Sequence, residues 1–380
     1  MDMPPEVLTP EPPGPPEPPA YPPAEAAPPP VIHELAPRPP GPGLPMALVW
    51  VVLFFLGQLM IIVGIFLVMA AVKVFEQGKE GLQAANEMLK EPAMLLLVGT
   101  GGVLGSILVI TTLVLRTKFF RALAIRLPTL SHVLIICLLA PPLYLLVLQV
   151  AVLATPFLPS LGLLDELGES IKGAPWPLVL VAGAIFPGIS EEIFCRGFLG
   201  RGLVARWGVI LGTLLASIIF GLIHVEPVQA VYAAFIGIIL QFVYIASKSL
   251  LAPMLLHALN NSIAFLPTVF REDRPEIPNL LDGWEKDGGL PWAVLATAIA
   301  AVASLLLLVW QTRVRWYRGD GALWNPGYVT AETPPARVQP RARSPWPRWW
   351  GVLLMLIAYA AFVLVLLGEL GAIPNLMAGE

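Results

Sequence analysis

The chain has 380 residues, 57% hydrophobic and only 13% charged, with a mean hydropathy of +0.76. Soluble domains carry about 25% charge, so a soluble globular fold is excluded. A net charge of −3 and a pI near 5.9 likewise give no basic face for nucleic acid. Cys137 and Cys195 both fall inside apolar runs and define no disulfide framework.

Residues 1–45 hold nearly half of the 41 prolines and six acids against Arg38 alone. Proline at this density has fixed φ and no N–H, so it favours extended polyproline II and builds no core. The stretch reads as a disordered tail, a solvated arm with a proline-binding module as its alternative partner. It lacks the basic start and small-residue cleavage site of a secretory signal, so its removal is not expected.

From Pro45 onward, apolar runs of about 20 residues, the length that crosses hydrocarbon, recur. The expected spans are 46–75, 93–115, 132–154, 177–199, 208–225, 228–247, 250–270, 291–311 and 350–372. The expected fold is an all-α, polytopic transmembrane bundle of about seven to nine helices. Its divisions are a tail (1–45), N-terminal membrane helices (46–129), a membrane core (130–270) and C-terminal helices (271–380).

Alternate loops are basic, which orients the chain because Lys and Arg collect on the cytoplasmic side. Arg116, Lys118, Arg121 and Arg126 follow the second span, Arg201 and Arg206 the fourth, and Lys248 the sixth. The 312–349 stretch, rich in Trp, Pro and Arg, carries seven arginines against Asp320 and Glu332 and reads as an interfacial loop with aromatic anchors. This pattern predicts a cytoplasmic N-terminus for an integral membrane protein; the expected membrane is the bacterial inner membrane.

Three spans break the rule that membrane centres hold nothing ionisable. The fourth contains Glu191, Glu192 and Arg196, the fifth ends in His224, and the seventh contains His257, Asn260 and Asn261. Such residues cost several kcal/mol in lipid, about 2.5–3.5 each on the lenient scale, so they face the bundle interior and mark function. Glu192 and Arg196 are i and i+4, the better-oriented pairing, so one acid is neutralised locally and Glu191 is left free. If the fourth and fifth spans turn back near Arg206 to Gly208, Glu191 and His224 lie at one depth, about 22–24 Å from the turn. The same arithmetic puts His257 shallower. Asn260 lies off the His257 face and reads as packing glue, and Glu226 as an ordinary loop acid.

A free carboxylate beside an imidazole, facing a second imidazole and an amide, contains the parts for hydrolysing an amide with activated water. Glu191 is the candidate general base, with His224 holding the water. His257 and Asn261 are candidate donors to the oxyanion. A three-ligand zinc site is the alternative chemistry, although no His-Glu-x-x-His helix is present. A non-catalytic transporter or scaffold using the same polar cavity is the rival from another class.

The ordered set Glu191-Glu192-x-x-x-Arg196, Phe220-x-x-x-His224 and His257-x-x-x-Asn261 resembles the three motifs of the CPBP family, the CAAX prenyl and bacteriocin-processing intramembrane proteases. The similarity spans about residues 130–270, and each motif matches without departure. The resemblance implies a glutamate-dependent endopeptidase acting on a membrane-associated protein or peptide; no cofactor is expected, with zinc as the alternative. It also implies supporting roles for Glu192, Arg196 and Phe220.

Overall fold

The structure, a computed structural model, describes residues 39–163, 168, 174–271, 284 and 288–370. The proline-rich tail up to residue 38 and nearly all of the acidic stretch 272–287 lie outside the described residues.

The chain runs through α1 (Leu44–Gln77), α2 (Gly81–Lys90), α3 (Pro92–Leu115), the single turn α4 (Phe119–Ala122) and α5 (Leu130–Ala154). The long α6 (Trp176–Leu222) follows, then α7 (Pro227–Ser247), α8 (Leu251–Arg271), α9 (Trp292–Gln311) and α10 (Trp349–Glu369). Every expected span is helical, with 177–199 and 208–225 falling in the single stretch α6. Among the described residues, seven helical stretches are long and apolar enough to cross a membrane. The α8 helix is not among the seven because His257, Asn260 and Asn261 dilute its hydropathy.

Local signals set the helix ends. Pro92 and Pro227 open α3 and α7, where the missing N–H costs nothing. The Thr129 hydroxyl caps α5 by accepting from the His132 backbone N–H at 3.4 Å. Pro141 and Pro142 lie inside α5; membrane helices tolerate this because neighbouring groups re-satisfy the freed carbonyls.

Helices α5 to α9 form the packed core, with α1 and α3 against one side. Only 6% of the α1 window and 17% of the α10 window are buried, against 44–50% for α5, α6 and α7. An outward apolar face is a liability in water but matches lipid tails, so α1 and α10 are the lipid-facing helices.

The turn expected near Arg206 to Gly208 is present. Gly208 adopts φ 75°, ψ −179°, a conformation essentially restricted to glycine, and divides α6 into two arms. The first arm is not a regular α-helix: Leu180–Ile185 and Ile193–Gly200 are π-helical and flank the α-helical Phe186–Glu192. A π turn spends more residues per turn and climbs less per residue than an α turn. Depths counted along an ideal α-helix therefore misplace residues beyond it.

The one departure from an all-α architecture among the described residues is a hairpin in the basic loop, Arg315–Tyr317 (β1) paired antiparallel with Arg341–Arg343 (β2). That loop is tied to the bundle by Arg201, which pairs with Glu332 at 2.5 Å, and by Arg126, which donates to the Lys248 carbonyl at 2.5 Å and also to the Ala331 carbonyl.

Candidate active site

Glu191 and Glu192 lie at the C-terminal end of the α-helical segment between the two π stretches; π turns of this kind recur at functional sites. The first arm of α6 meets α8 at Gly188, where an added Cβ would lie 3.0 Å from the Ala258 backbone nitrogen. Only a residue without a side chain brings the two helices this close, and the approach sets Glu191 and Glu192 beside His257.

The two acids have opposite surroundings. Glu192 is fully buried and compensated: Arg196 donates to its Oε1 at 2.6 Å and His257 Nδ1 lies 2.9 Å from the same oxygen. The expected i, i+4 pair thus forms, and it gains a histidine partner that helical spacing within one segment does not show. Glu191 has no such neutraliser. Its Oε2 lies 3.6 Å from His224 Nε2 and 3.9 Å from His257 Nε2, and it makes no hydrogen bond. All three side chains are close to buried, at 15%, 14% and 5% exposure.

Hydrogen bonding assigns the ring protons. His224 Nδ1 is 2.8 Å from the Phe220 carbonyl oxygen; a carbonyl only accepts, so Nδ1 carries the proton. His257 Nδ1 donates to the Glu192 carboxylate in the same way. Each ring therefore turns its Nε2 toward Glu191, so one carboxylate oxygen and two ring nitrogens converge on one point.

Phe220 holds this arrangement in place. The Arg196 guanidinium lies 3.9 Å above its ring, and its edges meet His224 at 4.9 Å and His257 at 5.6 Å between centroids. Cation–π and edge-to-face contacts of this kind fix ring orientation as well as adding energy.

A cavity of about 710 Å³ opens onto the cluster. Glu191, His224, His257, Asn260 and Asn261 form its polar end, and residues of α3, α5 and α7 such as Val103, Val147 and Ile236 form apolar walls. Asn260 therefore corrects the sequence reading: it is buried in the cavity wall with an unpaired Oδ1. Glu226 is a second correction. It is 1% exposed, and its carboxylate accepts from the backbone N–H groups of Leu161, at 3.1 Å to both oxygens, and Leu163, at 3.3 Å. It ties the loop after α5 to the turn that carries His224. In that turn Val225 takes φ 62°, an outlier for a β-branched residue, and strain of this type collects at functional sites.

His257 is not shallower than Glu191, as the ideal-helix count would have it: its Nε2 lies 3.9 Å from the Glu191 carboxylate. Among the described residues no group of three His, Cys, Asp or Glu side chains is placed to hold a metal ion. The fold and the cluster define a polytopic integral membrane protein with a carboxylate–imidazole site enclosed in its helical core.

Residues 173–263 match the family model described as Type II CAAX prenyl endopeptidase Rce1-like, a protease family, which bears out the resemblance read from the three motifs. All seven motif residues lie inside the matched segment. No curated protein and no solved structure matches the chain.

Proposed function

We propose that the chain is an intramembrane endopeptidase that hydrolyses a peptide bond of a membrane-associated or C-terminally anchored protein with water activated by Glu191. One observation carries this reading: a buried, unpaired carboxylate oxygen faces two imidazole Nε2 atoms at 3.6 and 3.9 Å. The Glu191 oxygen and the Nε2 of a neutral His224 are two acceptors for the two protons of one bound water. Glu191 takes a proton from that water as general base while His224 Nε2 accepts the other and aims the oxygen.

As the tetrahedral intermediate forms, negative charge grows on the former carbonyl oxygen. Asn261 donates to it from its amide, and His257, entering the step as an imidazolium, donates from its Nε2. The His257 cation is stabilised by Glu192 at its Nδ1, and Arg196 holds that carboxylate in place. The proton on Glu191 then passes to the leaving amine. The apolar walls of the cavity favour an apolar substrate segment, and the catalytic unit is the core 130–270. Loop charges support a cytoplasmic N-terminus, and the membrane proposed is a bacterial inner membrane.

The test is comparative membrane proteomics of a deletion strain complemented with wild type or with Glu191→Gln at equal protein level. The expected result is one or more membrane proteins that keep an extra segment in the Glu191→Gln strain alone. Identical processing in both strains overturns the proposal. Addition of a metal chelator to isolated membranes is expected to leave cleavage intact; chelator-sensitive, zinc-restored cleavage would transfer the chemistry to a metal.

A further inference from the structure

A second cavity, of about 440 Å³, lies well away from Glu191, where the ends of α7 and α9 meet the basic loop. Three cations line it, Lys248, Arg313 and Arg315, and no acid does. Its aromatic walls come from Trp310, Trp316 and Trp324, and its apolar side from Val209, Phe242 and Ile245 on the membrane helices.

Four further observations show that this cationic region lacks a counter-charge. In the β1–β2 hairpin Arg315 stands directly opposite Arg343, with Arg341 two residues along on the same face. Like charges opposite one another destabilise a strand pair, and among the described residues no carboxylate pairs with Arg315, Arg341 or Arg343. The Trp316 indole Nε1 is buried with no hydrogen-bond partner. Burial, reinforced by Arg126, pushes the Lys248 ammonium down to about 8, as befits a cation without an anion beside it. Arg313 spends its charge on an aromatic face, lying 4.0 Å over Trp310.

The location selects the missing partner. The C-terminal end of α9 and the N-terminal end of α10 adjoin this loop along the chain, and the end of α7 and Val209, just past the break in α6, line the cavity with it. This is the level where a bilayer presents its headgroups, and Trp is enriched there. We propose that the cavity binds the phosphate headgroup of an anionic phospholipid. Lys248, Arg313, Arg315 and the Trp316 N–H face the phosphate, and the acyl chains run down past Val209, Phe242 and Ile245. A phosphate diester without chains shares the headgroup chemistry, but the apolar side of the cavity favours the lipid.

The experiment is native mass spectrometry of the delipidated full-length protein in detergent, titrated separately with phosphatidylglycerol, phosphatidylcholine, glycerol 3-phosphate and inorganic phosphate. Saturable phosphatidylglycerol binding, at least roughly tenfold tighter than phosphatidylcholine, is expected, as is a loss of about tenfold in Arg313→Gln/Arg315→Gln. Trp316→Phe keeps an aromatic ring, removes the donor and is expected to weaken binding about threefold. It also supplies a reading should the double variant not fold. Equal binding of the two lipids, or unchanged affinity in both variants, overturns the site. Displacement of phosphatidylglycerol by inorganic phosphate or glycerol 3-phosphate at comparable concentration overturns the lipid assignment in favour of a soluble anion. None of these outcomes depends on cleavage, so the site stands or falls apart from the protease proposal.

Discussion

The catalytic cluster and the basic loop hold their charges in opposite ways. In the core, Arg196 and His257 both bind the Glu192 Oε1, at 2.6 and 2.9 Å, and Glu191 Oε2 faces the two histidines with no hydrogen bond. In the loop, Arg315, Arg341 and Arg343 stand together without carboxylates. The difference follows from solvent. A charge in the bundle interior has no water to fall back on and must be paired, whereas one at the membrane surface is served by water and anionic headgroups. An unpaired charge therefore carries different information in the two places. In the core it marks chemistry, and at the interface it marks a ligand or the bilayer.

The comparison is broken most severely by Glu191→Gln. It is expected to abolish cleavage, a loss of at least about a thousandfold if Glu191 is the general base, with thermal unfolding in detergent unchanged or slightly raised, because a buried unpaired charge is removed. Arg196→Met should do the opposite. It strands the buried Glu192 carboxylate and is expected to cost about 3–5 kcal/mol of stability, read as a lower unfolding temperature. Combining it with Glu192→Gln should restore much of that loss, and failure of the double variant to recover would show that the pair does more than neutralise.

Glu226→Gln tests whether the tether to Leu161 and Leu163 matters to the His224 turn. It weakens charge-assisted bonds of about 1.5–3 kcal/mol and is expected to raise proteolytic cutting in 158–163 before global unfolding changes. The smallest effect belongs to the loop. Arg343→Gln relieves a like-charge pair and should raise stability by a few tenths of a kcal/mol at low ionic strength. High salt should erase the gain.

Helical spacing within single segments was legible from the outset. The Glu192–Arg196 pair and the turn at Gly208 follow from i, i+4 geometry and from charge at a helix end, and both are present. What involved two segments was not legible. The contact of His257 with Glu192 joins α8 to α6 across a glycine seam, and Asn260 reaches the cavity wall because of how α8 is rotated against its neighbours. Glu226 looked like a loop acid because its partners are backbone N–H groups 63 and 65 residues away. The π-helical turns left no signature that residue types alone reveal.

Composition and hydropathy by themselves determined that the chain is a helical membrane protein, and the order of its polar exceptions pointed to three helices that share a site. Each of those inferences rests on short-range physics: the cost of a charge in hydrocarbon and the pitch of a helix. The tertiary structure alone decided which carboxylate is neutralised, which ring nitrogens carry protons and where the loop's cations gather. Those outcomes depend on packing between segments distant in sequence, where a shift of one helical turn exchanges one set of partners for another.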